Sequence, residues 1–322
     1  MNSIYSKKLE RKNLSMMFGL SNDRATSQRK CAEQIVQLDE SYRRELMAHL
    51  CFDRIEQKQE FLVDRFHDTD SWNETAYFML LRSLDIKANR RAYEHLAHIL
   101  PYRIFEKISF DPVSVQALLL GCSGLLSRLS QVCVGDKSIA ELQAIFEYEA
   151  HKYSLETMDI RDWNLVGCVG DNHPIIRLLQ LASLISRHEH LLNDILDCRN
   201  RRDVEMLFCL TSVPRWAFRF LAEANPEGAI SRTKAQMLGI NVVAQIQIFY
   251  SEYTLRNDLD SRGIDLLEQL PAENNMFVAR WNKLGVKAEN ALESQALLQL
   301  SKEYCSRQNC ERCPLRRFME AE

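Results

Sequence analysis

Glycine and proline are scarce in this sequence, which has 10 glycines and 7 prolines among 322 residues. Strands need frequent turns, and turns use these two residues most often, so their scarcity favours helices. Hydrophobic residues make up 46% of the chain, which is enough for one large core or two ordinary ones. The composition therefore predicts an all-α fold, either a multi-helix globular body or a superhelical array.

The sequence has no long apolar run either. No stretch reaches the roughly 18 residues that a membrane-spanning helix needs, and neither an apolar segment nor a cleavage site follows the basic residues near Met1. We therefore expect a cytoplasmic protein with no membrane partner. Seven of the ten cysteines lie scattered in apolar or amphipathic stretches, and we interpret them as reduced, mostly buried thiols. These seven are Cys31, Cys51, Cys122, Cys133, Cys168, Cys198 and Cys209.

Common catalytic and nucleotide-binding motifs are missing from the sequence. It contains no glycine-rich phosphate loop, no dinucleotide fingerprint, no serine nucleophile elbow and no H-E-x-x-H zinc motif. Two pairs of histidines, His95 with His98 and His188 with His190, could each share a metal ion, but packing or solvent exposure explains them equally well. The catalytic residues stay unknown, and the sequence leans towards a protein that is not an enzyme.

Positive charge is concentrated at the two ends of the chain. The formal net charge of −3 argues against nucleic-acid binding through overall charge. Residues 1–30 and 302–317 are nevertheless rich in lysine and arginine. Solvated chain ends explain both runs, while a nucleic-acid partner stays open as an alternative to a protein partner.

Helix signals recur along the chain. Ser71 and Glu74 form a capping box, so we interpret Glu74 as a structural cap rather than an acid catalyst. Gly121 and Gly124 interrupt an apolar run, which predicts either that another helix approaches closely or that the helix ends early. A broken pattern over 211–230 predicts irregular structure with some extended backbone.

These patterns predict four parts of the chain. The weakest helical pattern, over 211–230, is the expected boundary. The four parts are a flexible basic arm at 1–30, a helical domain at 31–210, an irregular connector at 211–230, and a C-terminal helical subdomain with a cysteine loop at 231–322.

Three cysteines beyond the last strongly periodic helix form a candidate metal site. Cys305, Cys310 and Cys313 have the spacing C-x4-C-x2-C, and a short loop can turn three such sulfurs towards one soft metal ion. A fourth ligand is missing nearby, because Phe318 stands five residues after Cys313. Water or a distant Cys or His would have to supply it. We expect Zn²⁺ if a metal binds, with an iron–sulfur cluster as the alternative and simple packing of reduced thiols as the third explanation.

Four polar residues near predicted helix faces form a candidate binding site. Arg177, Gln180, Glu273 and Gln295 would have to share a pocket to bind a small molecule. The competing interpretation is that the amides satisfy neighbouring backbone groups. No catalytic role follows for any of the four.

Several of these segments resemble an uncharacterised bacterial family that carries a domain of unknown function. The similar segments include Leu270–Asn274, Trp281–Gly285 and Asn290–Cys305, together with Asn172, Pro174, Arg177 and Gln180. The resemblance spans roughly 45–315 and implies family membership without a function. Members of the family begin with a strand-rich half whose acidic and histidine motifs resemble metal-dependent nucleases. This chain has no such half, so the resemblance carries over no catalysis from it.

The cysteine loop is also similar to the iron–sulfur loop of some helix-hairpin-helix DNA glycosylases. Its first spacing is shorter, and the fourth cysteine is missing. Taken together, the sequence predicts a cytoplasmic helical interaction or accessory module with a candidate structural metal site. The alternatives are a nucleic-acid-processing or nucleic-acid-binding accessory protein, and a small-molecule enzyme with a polar pocket.

Overall fold

The computed structural model describes residues 28–85, 88–168, 170–220 and 228–316, without the side chains of 257, 258 and 260. Most of the predicted basic arm, and Phe318, lie outside these residues. The described residues contain no strand, and their one isolated bridge pairs Pro271 with Asn290. The prediction of an all-α fold is therefore confirmed.

The α-helices up to residue 299 are numbered here in chain order, and residues 314–316 are also helical. They are α1 (of which 28–37 is described), α2 (Glu40–Thr69), α3 (Trp72–Leu84), α4 (Arg90–Ile99), α5 (Arg103–Lys107), α6 (Pro112–Cys122), α7 (Leu125–Val132), α8 (Lys137–Tyr153), α9 (Pro174–Arg187), α10 (Leu191–Asp197), α11 (Arg201–Cys209), α12 (Arg232–Leu238), α13 (Ala244–Thr254), α14 (Asn257–Gln269), α15 (Met276–Lys283) and α16 (Ala291–Gln299). Two π-helices, Gly239–Val243 and Leu300–Cys305, follow α12 and α16 directly.

The chain forms two compact units. The first unit contains residues up to Gln57 and from Pro271 onward, and the second contains Lys58–Leu270. The division falls inside α2. These limits differ from the domain boundaries predicted at 30, 210 and 230, which stay predictions, since a compact unit need not be a folding domain. In the described part of 211–230 the structure has a 3-10 helix at Arg215–Phe220, and residues 211–214 and 228–230 have no regular secondary structure.

The first unit is built around a buried tryptophan. Trp281 of α15 is 0% exposed, and its indole N–H donates to the hydroxyl oxygen of Ser301 at 2.7 Å. Leu50 of α2 and Leu297 of α16 are buried as well. The Asn290 side chain caps the start of α16 by accepting the Glu293 amide at 3.0 Å.

Close packing in the second unit explains the two glycines in its apolar helix. A Cβ atom on Gly121 would lie 2.1 Å from the Phe146 ring, so α8 approaches α6 at this point. Gly124 has φ +73°, where α6 has ended and α7 begins. Both alternatives predicted from the two glycines therefore occur together.

Glu74 caps a helix other than its own. The Ser71 hydroxyl accepts the Glu74 amide at 3.4 Å, as a capping box requires. The Glu74 carboxylate instead accepts the amides of Tyr102 and Arg103, at 2.9 and 3.1 Å. It therefore satisfies the first amides of α5.

A helix that spans a membrane must be long and apolar. No single one of the described helices is long and apolar enough to cross a membrane. Helices α6 and α7 reach the required length and apolarity only when they are taken together, and they are bent by 100° relative to each other.

Candidate functional site

The cysteine loop begins at the end of a continuous helical stretch. The π-helix Leu300–Cys305 extends α16, so Cys305 is its last residue. The Asn309 amide then donates to the Tyr304 carbonyl at 2.9 Å, and the Cys313 amide donates to the Cys310 carbonyl at 3.2 Å. These two turns fold the loop back after Cys305.

A fourth cysteine, Cys31 of α1, belongs to the same cluster. Burial raises the pKa of Cys305 to about 12, and the nearby Cys31, Cys313 and Cys310 thiols contribute to the rise in that order. Burial likewise raises the pKa of Cys31, with a further contribution from Cys310. The four thiols therefore influence one another's ionisation, and we call Cys31, Cys305, Cys310 and Cys313 the thiol cluster.

Backbone amides face one sulfur of the thiol cluster. Burial raises the pKa of Cys313 to about 11, while hydrogen bonds from the amides of Leu315 and Arg316 oppose the rise. The guanidinium of Arg280, on α15, has the same opposing effect on the pKa of Cys305. Amide donors and a nearby cation both stabilise a thiolate, which is the form that binds metals.

The cluster consists of free thiols. Cys313 is buried, Cys31 and Cys305 are partly exposed, and Cys310 is exposed. As the side chains stand, no group of three or more His, Cys, Asp or Glu residues in the described ranges is arranged so that it could hold a metal ion. Binding of a metal would therefore require these side chains to rearrange.

Sequence analysis does not place Cys31 with the cysteine loop, because nothing in its sequence neighbourhood points to the loop. The sequence places Cys31 among the buried structural thiols, far along the chain from Cys305. The one available signal was the missing fourth ligand of the C-x4-C-x2-C loop, which pointed to a distant Cys or His without saying which.

In the first unit, Glu273 and Gln295 meet as parts of one hydrogen-bonded network. The Gln295 side chain, 1% exposed, accepts from Arg54 Nε at 2.7 Å and donates to the Glu273 carboxylate. Burial lowers the pKa of Arg54, and the charge of Glu273 is the strongest influence opposing that change. The Glu273 amide is fixed by the hydroxyl of Ser294 at 3.0 Å.

In the second unit, Arg177 and Gln180 form a similar network. Gln180 is 0% exposed, accepts from Arg177 Nη1 at 2.8 Å and donates to the Gly228 carbonyl at 2.8 Å. Arg177 Nη2 donates to Asn172 at 3.0 Å. The four predicted binding residues thus form two pairs, one in each unit, and their common pocket stays a prediction.

Three of the four paired histidines lie close to other polar side chains. His98 Nδ1 lies 2.9 Å from Arg65 Nη1, and His188 Nδ1 lies 2.8 Å from the Asp194 carboxylate. His95 lies 3.9 Å from Asp162. These contacts support the packing interpretation of the histidines.

A family model described as "Protein of unknown function (DUF2851)" matches residues 5–276. The chain belongs to this DUF2851 family. The predicted resemblance is confirmed, but the match begins and ends earlier than the predicted span of 45–315. It covers Cys31, Arg177, Gln180 and Glu273, whereas the segment from Phe277 onward lies beyond it. No curated protein and no solved structure shows a significant match to the chain.

Proposed function

We propose that this DUF2851 protein is a cytoplasmic helical accessory module whose first unit binds a structural zinc ion through Cys31, Cys305, Cys310 and Cys313. The observation that carries the proposal is the thiol cluster, assembled from α1 and the loop after α16. Ten free cysteines support a reducing compartment.

Zinc fits the donor set better than other common metals. Four thiolates favour a tetrahedral ion with Zn–S distances of about 2.3 Å, which brings the sulfurs to about 3.8 Å from one another. Such a site is closed, since no coordination position remains for a substrate. The zinc would therefore join α1 to the cysteine loop and would not act in catalysis.

The high thiol pKa values are compatible with such a site. Four ionised thiolates would repel one another, so without a cation the cluster keeps its protons. A divalent ion displaces those protons and removes the repulsion. The amides of Leu315 and Arg316 then support the Cys313 thiolate.

An accessory role is supported by the contacts of the candidate binding residues. Both amide atoms of Gln180 and both of Gln295 have protein partners. These side chains organise their own units, as structural residues do. The nucleic-acid and small-molecule alternatives stay predictions.

Metal analysis of anaerobically purified protein tests the proposal. We expect about one zinc ion per chain, lost in Cys310→Ser and also in Cys31→Ser. Cys209→Ser is the matched control, since Cys209 is a partly exposed thiol of the second unit. Protein without metal, or full zinc retention in Cys31→Ser, would overturn the proposal. Iron with sulfide and a brown colour would replace zinc by an iron–sulfur cluster.

A further inference from the structure

Two cysteines of the loop are joined by a tight backbone turn. Cys310 begins the 3-10 helix Cys310–Arg312, and Cys313 directly follows its end. The Cys313 amide donates to the Cys310 carbonyl at 3.2 Å, which closes the turn. The two thiols thus have the spacing C-x-x-C on a single helical turn.

This turn has the dimensions that a disulfide needs. In a 3-10 helix, residues three apart eclipse each other, and a rise of about 2.0 Å per residue places their Cα atoms about 6 Å apart. A disulfide joins residues whose Cα atoms are about 4.4 to 6.8 Å apart. The backbone at 310–313 is therefore compatible with a disulfide between Cys310 and Cys313.

The two thiols of the turn differ in their exposure to solvent. Cys310 is exposed, whereas Cys313 is 9% exposed. Hydrogen bonds from the amides of Leu315 and Arg316 hold the Cys313 sulfur in place. An accessible thiol with a second, resolving thiol next to it is typical of redox-sensitive cysteines. Cys310 is thus the thiol that a reagent meets first, and Cys313 is the thiol that can resolve the product.

The other two members of the thiol cluster lie outside this turn. Cys31 belongs to α1, and Cys305 ends the π-helix Leu300–Cys305. Both thiols are partly exposed, so a reagent can reach them as well. The turn nevertheless predicts which disulfide forms, because it already holds Cys310 next to Cys313.

We propose that Cys310 and Cys313 form a redox-sensitive dithiol, and that its oxidation by a small disulfide releases the zinc ion. This inference rests on the proposed function, because release requires that zinc is bound. Thiolates bind metals, and a sulfur in a disulfide is no longer a thiolate. Oxidation therefore removes two ligands and leaves only Cys31 and Cys305.

Oxidation of the dithiol proceeds through two thiol–disulfide exchanges. The Cys310 thiolate attacks one sulfur of the small disulfide, which forms a mixed disulfide and releases one small thiolate. The Cys313 thiolate then attacks the Cys310 sulfur, which forms the disulfide of the turn and releases the second small thiolate. The two cysteines lose two electrons in total, and the small disulfide gains them.

Release of the zinc changes how the first unit is held together. The zinc joins α1 to the cysteine loop, so its loss unlinks these two segments. Disulfides in a reducing compartment are usually transient and serve catalysis or redox sensing. The dithiol would thus make the order of the first unit respond to the thiol–disulfide balance around the protein.

Oxidation of the full chain with oxidised glutathione tests the inference. Metal analysis before oxidation measures bound zinc, and a chromophoric chelator then follows its release. We expect about one zinc ion released per disulfide formed. Trypsin cleaves after Arg307 and Arg312, so mass spectrometry should detect peptides 308–312 and 313–316 joined by the disulfide.

The Cys313→Ser variant separates the two exchange steps. Without the resolving thiol, the mixed disulfide at Cys310 persists, and we expect roughly tenfold more glutathione on Cys310 than in the natural chain. Cys209→Ser is the matched control, since Cys209 is a partly exposed thiol of the second unit, and it should react as the natural chain does. Thermal unfolding verifies that both variants are folded.

The results distinguish failure of this inference from failure of the zinc proposal. Absence of zinc before oxidation would refute the proposed function and, with it, the release. In protein that contains zinc, pairing of Cys310 with Cys31 or Cys305 would overturn the redox inference alone. Zinc release without the Cys310–Cys313 disulfide would do the same, as would equal glutathione on Cys310 in Cys313→Ser and the natural chain.

Discussion

At the scale of single residues, buried glutamines hold arginines in place in both units. Gln295 accepts from Arg54 and donates to Glu273, while Gln180 accepts from Arg177 and donates to the Gly228 carbonyl. Each glutamine thus links a desolvated guanidinium to a second acceptor. A neutral amide can do this without adding another buried charge, which would itself need compensation.

Desolvation, followed by the charge of Arg177, lowers the pKa of Lys234 in α12, which predicts a pH-dependent stability. The folded protein binds the Lys234 proton with a pKa of about 7, and the reference value is 10.5. Between these values the unfolded chain binds more protons, so the free energy of unfolding rises with pH. Below about pH 7 the Lys234 amine is charged in both the folded and the unfolded chain. The stability that the folded protein gains at higher pH is then absent.

Urea unfolding of the natural chain and Lys234→Met at pH 7 and pH 9.5 measures this effect. From pH 7 to pH 9.5, the free energy of unfolding of the natural chain should rise by up to about 3 kcal/mol more than that of the variant. Each unit of pKa shift corresponds to about 1.4 kcal/mol. Comparison with the variant removes the contributions of other titrating groups. Parallel pH profiles for the two proteins would show that Lys234 keeps an ordinary pKa.

At the scale of helices, local sequence signals predicted the elements well. A cap such as Asn290 acts on amides a few residues away, so its pattern is visible in the sequence. Glu74 shows that local patterns do not predict every cap. Its pairing with Ser71 was predictable, whereas its bonds to the amides of Tyr102 and Arg103 depend on tertiary packing.

The close approach of α6 and α8 predicts the effect of Gly121→Ala. Alanine favours a helix over glycine by about 1 kcal/mol, but its Cβ would lie 2.1 Å from the Phe146 ring. Overpacking of this kind costs about 1 to 3 kcal/mol. We therefore expect a net loss of up to about 2 kcal/mol in the free energy of unfolding, measured by urea denaturation.

The double variant Gly121→Ala with Phe146→Leu provides the control. A smaller side chain at 146 makes room for the new methyl group, so the two substitutions should be less destabilising together than the sum of their separate effects. Strict additivity would mean that the Phe146 ring does not limit the approach of the two helices.

At the scale of the whole molecule, the first unit combines two segments that are far apart along the chain. Residues up to Gln57 join residues from Pro271 onward. Periodicity and spacing report only on neighbours in sequence, which explains why the loop cysteines were predicted and Cys31 was not.

The zinc proposal predicts a local response when the metal is removed. A chelator should accelerate hydrogen exchange of amides at 28–37 and 305–316, because the zinc links these segments and orders the amides that face Cys313. Exchange in α13, within the second unit, should stay unchanged and serves as the internal reference. Hydrogen–deuterium exchange with mass spectrometry measures both regions in one experiment.

The Cys310→Ser variant separates metal loss from other actions of the chelator. Cys310 is the exposed member of the thiol cluster, so serine there removes a ligand with little effect on packing. Without chelator, this variant should already exchange as fast at 28–37 as the chelated natural chain, and chelator should not change it further. Equal acceleration in α13, or a chelator response that persists in Cys310→Ser, would contradict a zinc ion bound at the thiol cluster.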